Sequence, residues 1–86
     1  ISSTSFKILC YLAFKDRPVK PKVIVEELGM PPSTVRARLS ELKKGGLVKS
    51  TVNGAYTSIV KPYDILMRLY EELRNEMREV LKTGKR

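Results

Sequence analysis

Ser33, Thr34, Arg36, Arg38, Ser40, Lys43 and Lys44 fall within one short stretch, PPSTVRARLSELKKGGLVKS, running from Pro31 to Ser50. Hydroxyls interleaved with guanidinium and ammonium groups suit the recognition of a polyanion. The Ser33 and Thr34 hydroxyls, beside backbone N–H groups left free at a helix start, can meet a phosphate or a base edge. Arg36 carries the planar fork that bonds guanine O6 and N7 together, a contact worth about 1–3 kcal/mol of base discrimination. Every charge in the stretch except Glu41 is positive. The ordinary alternative is that these are the solvated charges of an amphipathic helix.

The spacing says which side such a helix would present. Val35, Leu39 and Leu42 form one apolar stripe. The opposite stripe, expected to be free of acid, holds Ser33, Arg36, Ala37 and Ser40 at i, i+3, i+4, i+7, with Arg38 and Lys43 on its flanks. The helix is expected to begin at Pro31 or Pro32 and to end at Lys44, with Gly45 as its left-handed stop.

The neighbouring segments are punctuated as sharply. ISSTSFKILCYLAFKD predicts a first helix on the periodicity of Phe6, Leu9, Cys10, Ala13 and Phe14. Ser2 is its cap, with Ile1 and Phe6 at the two positions of a hydrophobic staple. In RPVKP, Pro18 and Pro21 leave Val19 and Lys20 extended, able to add a minimal strand to a sheet elsewhere. PKVIVEELG then reads as a second helix stopped by Gly29, so only Met30 and Pro31 separate it from the third.

LVKSTVNGAYTSIV predicts a hairpin turning at Asn53-Gly54, with both residues at positive φ. A two-residue turn would pair Val52 with Ala55, Thr51 with Tyr56, Lys49 with Ser58 and Val48 with Ile59. Last comes about 20 residues of good helix former. In it Leu66, Tyr70, Leu73, Met77 and Val80 are spaced 4, 3, 4, 3, a coiled-coil seam flanked by Ile65, Leu69 and Leu81. Thr83–Arg86 reads as a loose tail.

Composition narrows the function. Eighty-six residues make one domain with a modest core. The net charge is +8. Residues 1–62 hold 11 basic and 4 acidic side chains and residues 63–86 hold 6 and 5, so the excess lies in the front. A basic front and a balanced tail point to a polyanion partner for the front alone. With no His and a single Cys, Cys10, the chain offers neither a structural zinc site nor His-based acid–base catalysis. Cys10, among Leu9, Leu12 and Ala13, reads as a buried, inert thiol. There is no Gly-rich phosphate loop and no group of carboxylates outside the last helix, so the chain is expected to be no enzyme and to need no cofactor. No apolar run approaches the roughly 20 residues of a membrane span, and a cytoplasmic location is expected. Ile1 in place of an initiator Met reads as a chain that starts inside its gene product.

The predicted fold class is mostly α with a small β-hairpin, in the order α-β-α-α-β-β-α of a winged helix-turn-helix with a long C-terminal helix. Residues 1–62 would form that domain and residues 63–86 a helix for dimerisation. GMPPSTVRARLSELKKGGLV resembles the signature of archaeal and bacterial winged-helix regulators, the TrmB, MarR and ArsR-like group. Gly29, Met30, Ser33, Thr34, Val35, Leu39, Leu42, Gly46, Leu47 and Val48 stand at its pattern positions. SFKILCYL is similar to the group's first helix, and VKPYDILMRLYEEL to the segment after the wing in TrmB-like proteins, where a proline starts a helix leading to dimerisation. Pro31 departs from the pattern, replacing a hydroxyl-bearing cap, and the wing is short with no arginine at its tip.

The resemblance implies sequence-specific binding of double-stranded DNA by a homodimeric transcription regulator. Ser33, Thr34, Arg36, Ala37, Arg38 and Ser40 would read the major groove. Lys49, Asn53 and Tyr56 would contact DNA from the wing, with Tyr56 equally readable as a cross-strand partner of Thr51. Lys43, Lys44 and Lys61 would add phosphate contacts. Leu66, Tyr70, Leu73, Met77, Val80 and Leu81 would form the dimer interface on a roughly palindromic site. No small-molecule effector site can be located. Two other readings stay open: a DNA-tethering domain of a larger replication or partition protein, and a winged helix used for protein contacts.

Overall fold

A computed structural model describes residues 2–83. In chain order the elements are α1 (Ser3–Lys15), α2 (Pro21–Leu28), α3 (Pro32–Lys44), β1 (Val48–Ser50), β2 (Tyr56–Ser58) and α4 (Pro62–Thr83). This is the expected mostly helical architecture with a two-stranded antiparallel hairpin and a long last helix. The Ile1 half of the proposed staple lies outside the described residues, as do residues 84–86 of the expected loose tail Thr83–Arg86, whose Thr83 instead ends α4.

Local chemistry accounts for most boundaries. The Ser2 hydroxyl accepts from the Ser5 amide at 3.1 Å and caps α1. Proline opens both α2 and α3 at the position where a missing N–H costs nothing. Gly29, at φ 66°, ends α2. At the end of α3 the left-handed residue is Gly46 (φ 77°), not Gly45, which stays right-handed at φ −77°. Leu47 N–H donates to the Leu42 carbonyl and Gly46 N–H to the Lys43 carbonyl, both at 3.0 Å. That bond pair closes a helix with its left-handed residue one place later than expected, and it turns Leu47 back toward the core.

The core is one cluster. Ile8, Leu9, Leu12 and Ala13 of α1 meet Ile24 of α2, the Val35, Leu39 and Leu42 stripe of α3, Val19, Val48 and Ile65. Phe14 continues the α1 spacing but is exposed, and Cys10 is half-buried at the cluster's edge, where burial pushes its thiol pKa up. Val19 joins the sheet as expected. Its N–H and carbonyl exchange 2.8 Å bonds with Tyr56, tying the α1–α2 connection to the hairpin.

The hairpin register differs from the expectation by one residue. Val48 pairs with Ser58, Lys49 with Thr57 and Ser50 with Tyr56. Thr51 N–H donates to the Ala55 carbonyl at 2.7 Å, leaving Val52-Asn53-Gly54 as a three-residue loop in which only Gly54 (φ 79°) is left-handed. A one-residue slip exchanges the faces of a strand. Ala55 is therefore buried, and Ile59 is half exposed where it was expected to oppose Val48.

Alongside the core, a surface cluster ties α1 to α2. The Tyr11 hydroxyl donates to the Glu27 carboxylate. Lys15 Nζ lies 3.3 Å from Glu27 Oε1 and 5.4 Å above the Tyr11 ring centroid. Burial, then the Glu27 hydrogen bond and charge, push the Tyr11 pKa up to about 12, with Arg17 opposing. The same hydrogen bond, followed by that from Lys15, holds the Glu27 pKa down.

Leu39 is 1% exposed, so Leu39→Ala is expected to cost about 2–5 kcal/mol in urea unfolding, while Val52→Thr at the exposed loop tip changes stability by less than about 0.5 kcal/mol. Gly46→Ala is expected to destabilise by roughly 1 kcal/mol and Gly45→Ala not at all. A Cβ on Gly45 meets only ordinary contacts, 3.6 Å from the Glu41 carbonyl oxygen at the nearest. Equal effects would place the left-handed cap elsewhere. Because the folded state holds the Tyr11 proton more tightly, its contribution to stability is complete below the free-tyrosine pKa of about 10 and is lost as pH rises toward 12. Glu27→Gln is expected to bring the Tyr11 titration, followed by ultraviolet absorbance, down toward the free value.

Candidate nucleic-acid interface

The site is built on what α3 cannot expose. Its apolar stripe is pinned on α1 and α2, which leaves Ser33, Arg36, Ala37, Ser40, Lys43 and Lys44 exposed around the other side. Thr34 is half-buried at the first turn. Pro31 occupies the cap position with no side-chain hydrogen bond, so the first N–H groups of α3 have no protein cap. Lys43 and Lys44 sit in the last turn, where cations also offset the helix dipole.

Two side chains of α3 behave differently from the expectation. Glu41, the helix's one acid, is 58% exposed on the flank of the outer stripe, so that surface is not free of acid. Its Oε1 accepts from the buried Ser5 hydroxyl at 2.9 Å and lies 3.7 Å from Arg38 Nη1. Arg38 is only 31% exposed, with its Nη1 toward Glu41, whereas Arg36 is exposed.

A shallow groove of about 270 Å³ runs between the starts of α2 and α3, lined by Pro21, Lys22, Val25, Pro32 and Arg36. It places Lys22 beside Arg36, and Lys20 precedes it as the cap residue of α2. Neither lysine is among the residues expected from the sequence to meet DNA. The signal was available, since Pro21 at the first helical position puts Lys20 and Lys22 on either side of the α2 start.

In the wing, Lys49 and Asn53 are exposed. Tyr56 is half-buried against the core, paired with Ser50 rather than Thr51 and bonded through its backbone to Val19. Its backbone closes the sheet, and its ring is drawn toward the core. Lys61 is exposed at the start of α4, where its N–H donates to the Asp64 carboxylate at 3.3 Å.

On α4 the residues of the expected seam are all exposed. Leu66, Tyr70, Leu73, Met77, Val80 and Leu81 range from 51% to 75%, whereas Ile65, about a quarter-turn away, is 6% exposed in the core. Between α1 and α4 a larger groove of about 560 Å³ is lined by Phe6, Leu9, Leu47, Val60, Ile65 and Leu69, with Asp64, Arg68 and Glu72 along it. Among the described residues, no His, Cys, Asp or Glu cluster could hold a metal ion, and no helix is long and apolar enough to cross a membrane.

No curated protein and no solved structure matches the chain. A family model does match, over residues 1–49, which span α1, α2, α3 and the first wing strand up to Lys49. With a tight two-helix joint, an outward basic second helix and a hairpin after it, this chain belongs to the winged helix-turn-helix DNA-binding family.

Proposed function

We propose that the protein is a homodimeric, sequence-specific transcription regulator of the TrmB, MarR and ArsR-like kind, reading double-stranded DNA with α3. The observation that carries this reading is the outer face of α3, where hydroxyls and cations stay exposed because the apolar stripe is buried. An α-helix fits the major groove with its N-terminal residues nearest the base edges. Ser33, Thr34, Arg36, Ala37 and Ser40 are then the readers, and Lys43 and Lys44 hold phosphates. Lys20 and Lys22 flank the start of α2, the first helix of such a motif, which crosses the backbone. Lys49, Asn53 and Lys61 extend the contact along the wing side. Tyr56 supports the wing from beneath.

Dimerisation is assigned to α4. Its seam is rotated away from Ile65, so one helix cannot lay both faces on the same core. A second copy of α4 supplies a matching apolar stripe and sets two α3 helices on half-sites about one helical turn, roughly 34 Å, apart. Residues 1–62 act as the DNA-binding unit and the following helix as the connector.

A duplex selected from a random pool supplies the specific site. Arg36→Ala is expected to lower the preference for it over random sequence by about 1–3 kcal/mol while weakening random binding far less. Equal weakening of both duplexes would make Arg36 a phosphate contact. Leu73→Glu is expected to give a folded monomer in equilibrium sedimentation; a variant that remains two-fold would remove α4 as the interface.

A further inference from the structure

We propose that Ser5, Glu41 and Arg38 form a charge gate on the flank of α3: Ser5 and Arg38 hold the Glu41 carboxylate off the duplex, and Arg38 passes from Glu41 to a phosphate when DNA docks. The proposal rests on α3 being the DNA-facing helix and concerns residues other than its readers.

The gate answers two oddities of the free protein. A carboxylate on the flank of a helix that approaches phosphates is a liability, because like charges a few ångströms apart repel. Glu41 is exposed to solvent but not unpartnered. Its Oε1 accepts from Ser5, a side chain 36 residues away and fully buried at the start of α1. Ser5 is held in turn by Ser2, whose hydroxyl donates to the Ser5 oxygen at 3.1 Å and accepts from the Ser5 amide. One oxygen of the acid is thereby tied to α1.

The second oddity is Arg38. Its Nε is buried with no hydrogen-bond partner among the described residues, and its Nη1 reaches Glu41 only at 3.7 Å. A guanidinium has five N–H donors, and a buried donor left unpaired is costly. An ion pair of that length is weak. Arg38 is under-satisfied where it lies, within one turn of the exposed basic face. A phosphate offers the bidentate partner that Glu41, reached by one nitrogen at 3.7 Å, does not provide. The trade leaves Glu41 with Ser5 and gives the duplex one further cation.

The test measures binding to a short random-sequence duplex over a salt series, with thermal unfolding run in parallel. Glu41→Gln keeps an acceptor for Ser5, removes the charge and is expected to bind more tightly. Ser5→Ala, which frees the carboxylate, is expected to bind about three- to tenfold more weakly, the scale of one uncancelled charge near a phosphate. Adding Glu41→Gln to Ser5→Ala is expected to restore binding to at least the wild-type level. Arg38→Ala is expected to make the slope of log K against log salt shallower by about 0.9, one phosphate fewer.

Wild-type binding by a folded Ser5→Ala, or a double variant no stronger than Ser5→Ala, overturns the gate. So does an unchanged salt slope in Arg38→Ala. Should Ser5→Ala fail to fold, the Glu41→Gln and Arg38→Ala measurements decide alone. Lys43→Ala/Lys44→Ala is the control for the underlying reading. If it leaves the salt slope at the wild-type value, α3 does not face DNA, whatever the gate variants do.

Discussion

The rest of the structure depends on the burial of one narrow stripe. Val35, Leu39 and Leu42 are the apolar side chains by which α3 joins the core, and all three are buried against α1 and α2. With three anchors on one face, α3 has little freedom to roll about its axis, because any rotation would expose them. Its polar face is therefore set by the core rather than by anything on the surface. This is how a helix of 13 residues, too short to be stable alone, is held rigid with one fixed face outward.

The same economy shows in how the small sheet is built. Two three-residue strands would be marginal by themselves. Val19 adds a bridge of two 2.8 Å bonds to Tyr56, and Val48 enters the core from the other strand. The hairpin is thus fastened at Tyr56 near its turn and at Val48 at its base, leaving Val52-Asn53-Gly54 exposed. Long-range fastening of this kind also settled the register.

What was legible in the sequence was local. Prolines at 18, 21, 31 and 62 and the Gly29 stop mark helix boundaries because each acts on its own backbone, and the 4, 3, 4, 3 spacing of α4 needs no tertiary information. The isolated Val19 strand was readable for the same reason. The hairpin register was not. Asn-Gly suits a two-residue turn with both residues left-handed and equally a three-residue loop in which only the glycine is, and the Val19–Tyr56 bridge selects the second. Gly45-Gly46 offered two equivalent stops, and the Leu47 to Leu42 hydrogen bond chose between them. At the candidate site, periodicity sorted exposed from buried along α3. It could not find Ser5 as the partner of Glu41, since that contact spans 36 positions and exists only once α1 and α3 pack.

Charge bookkeeping links these packing choices to the basic front. Residues 1–62 contain four acids, Asp16, Glu26, Glu27 and Glu41. Glu27 is engaged by Tyr11 and Lys15 on the side where α1 meets α2, and Glu41 by Ser5 and Arg38. Asp16 sits at the far end of α1 in a left-handed cap. Arg36, Lys43, Lys44 and Lys49 form no ion pair among the described residues. Screening limits each surface charge to about 8 Å at physiological salt, so the net charge of the chain matters less than which charges stand near which face. Internal pairing of two of the four acids leaves the cations of α3 and the wing acting together. The placing of the carboxylates therefore matters to that face together with the number of lysines and arginines.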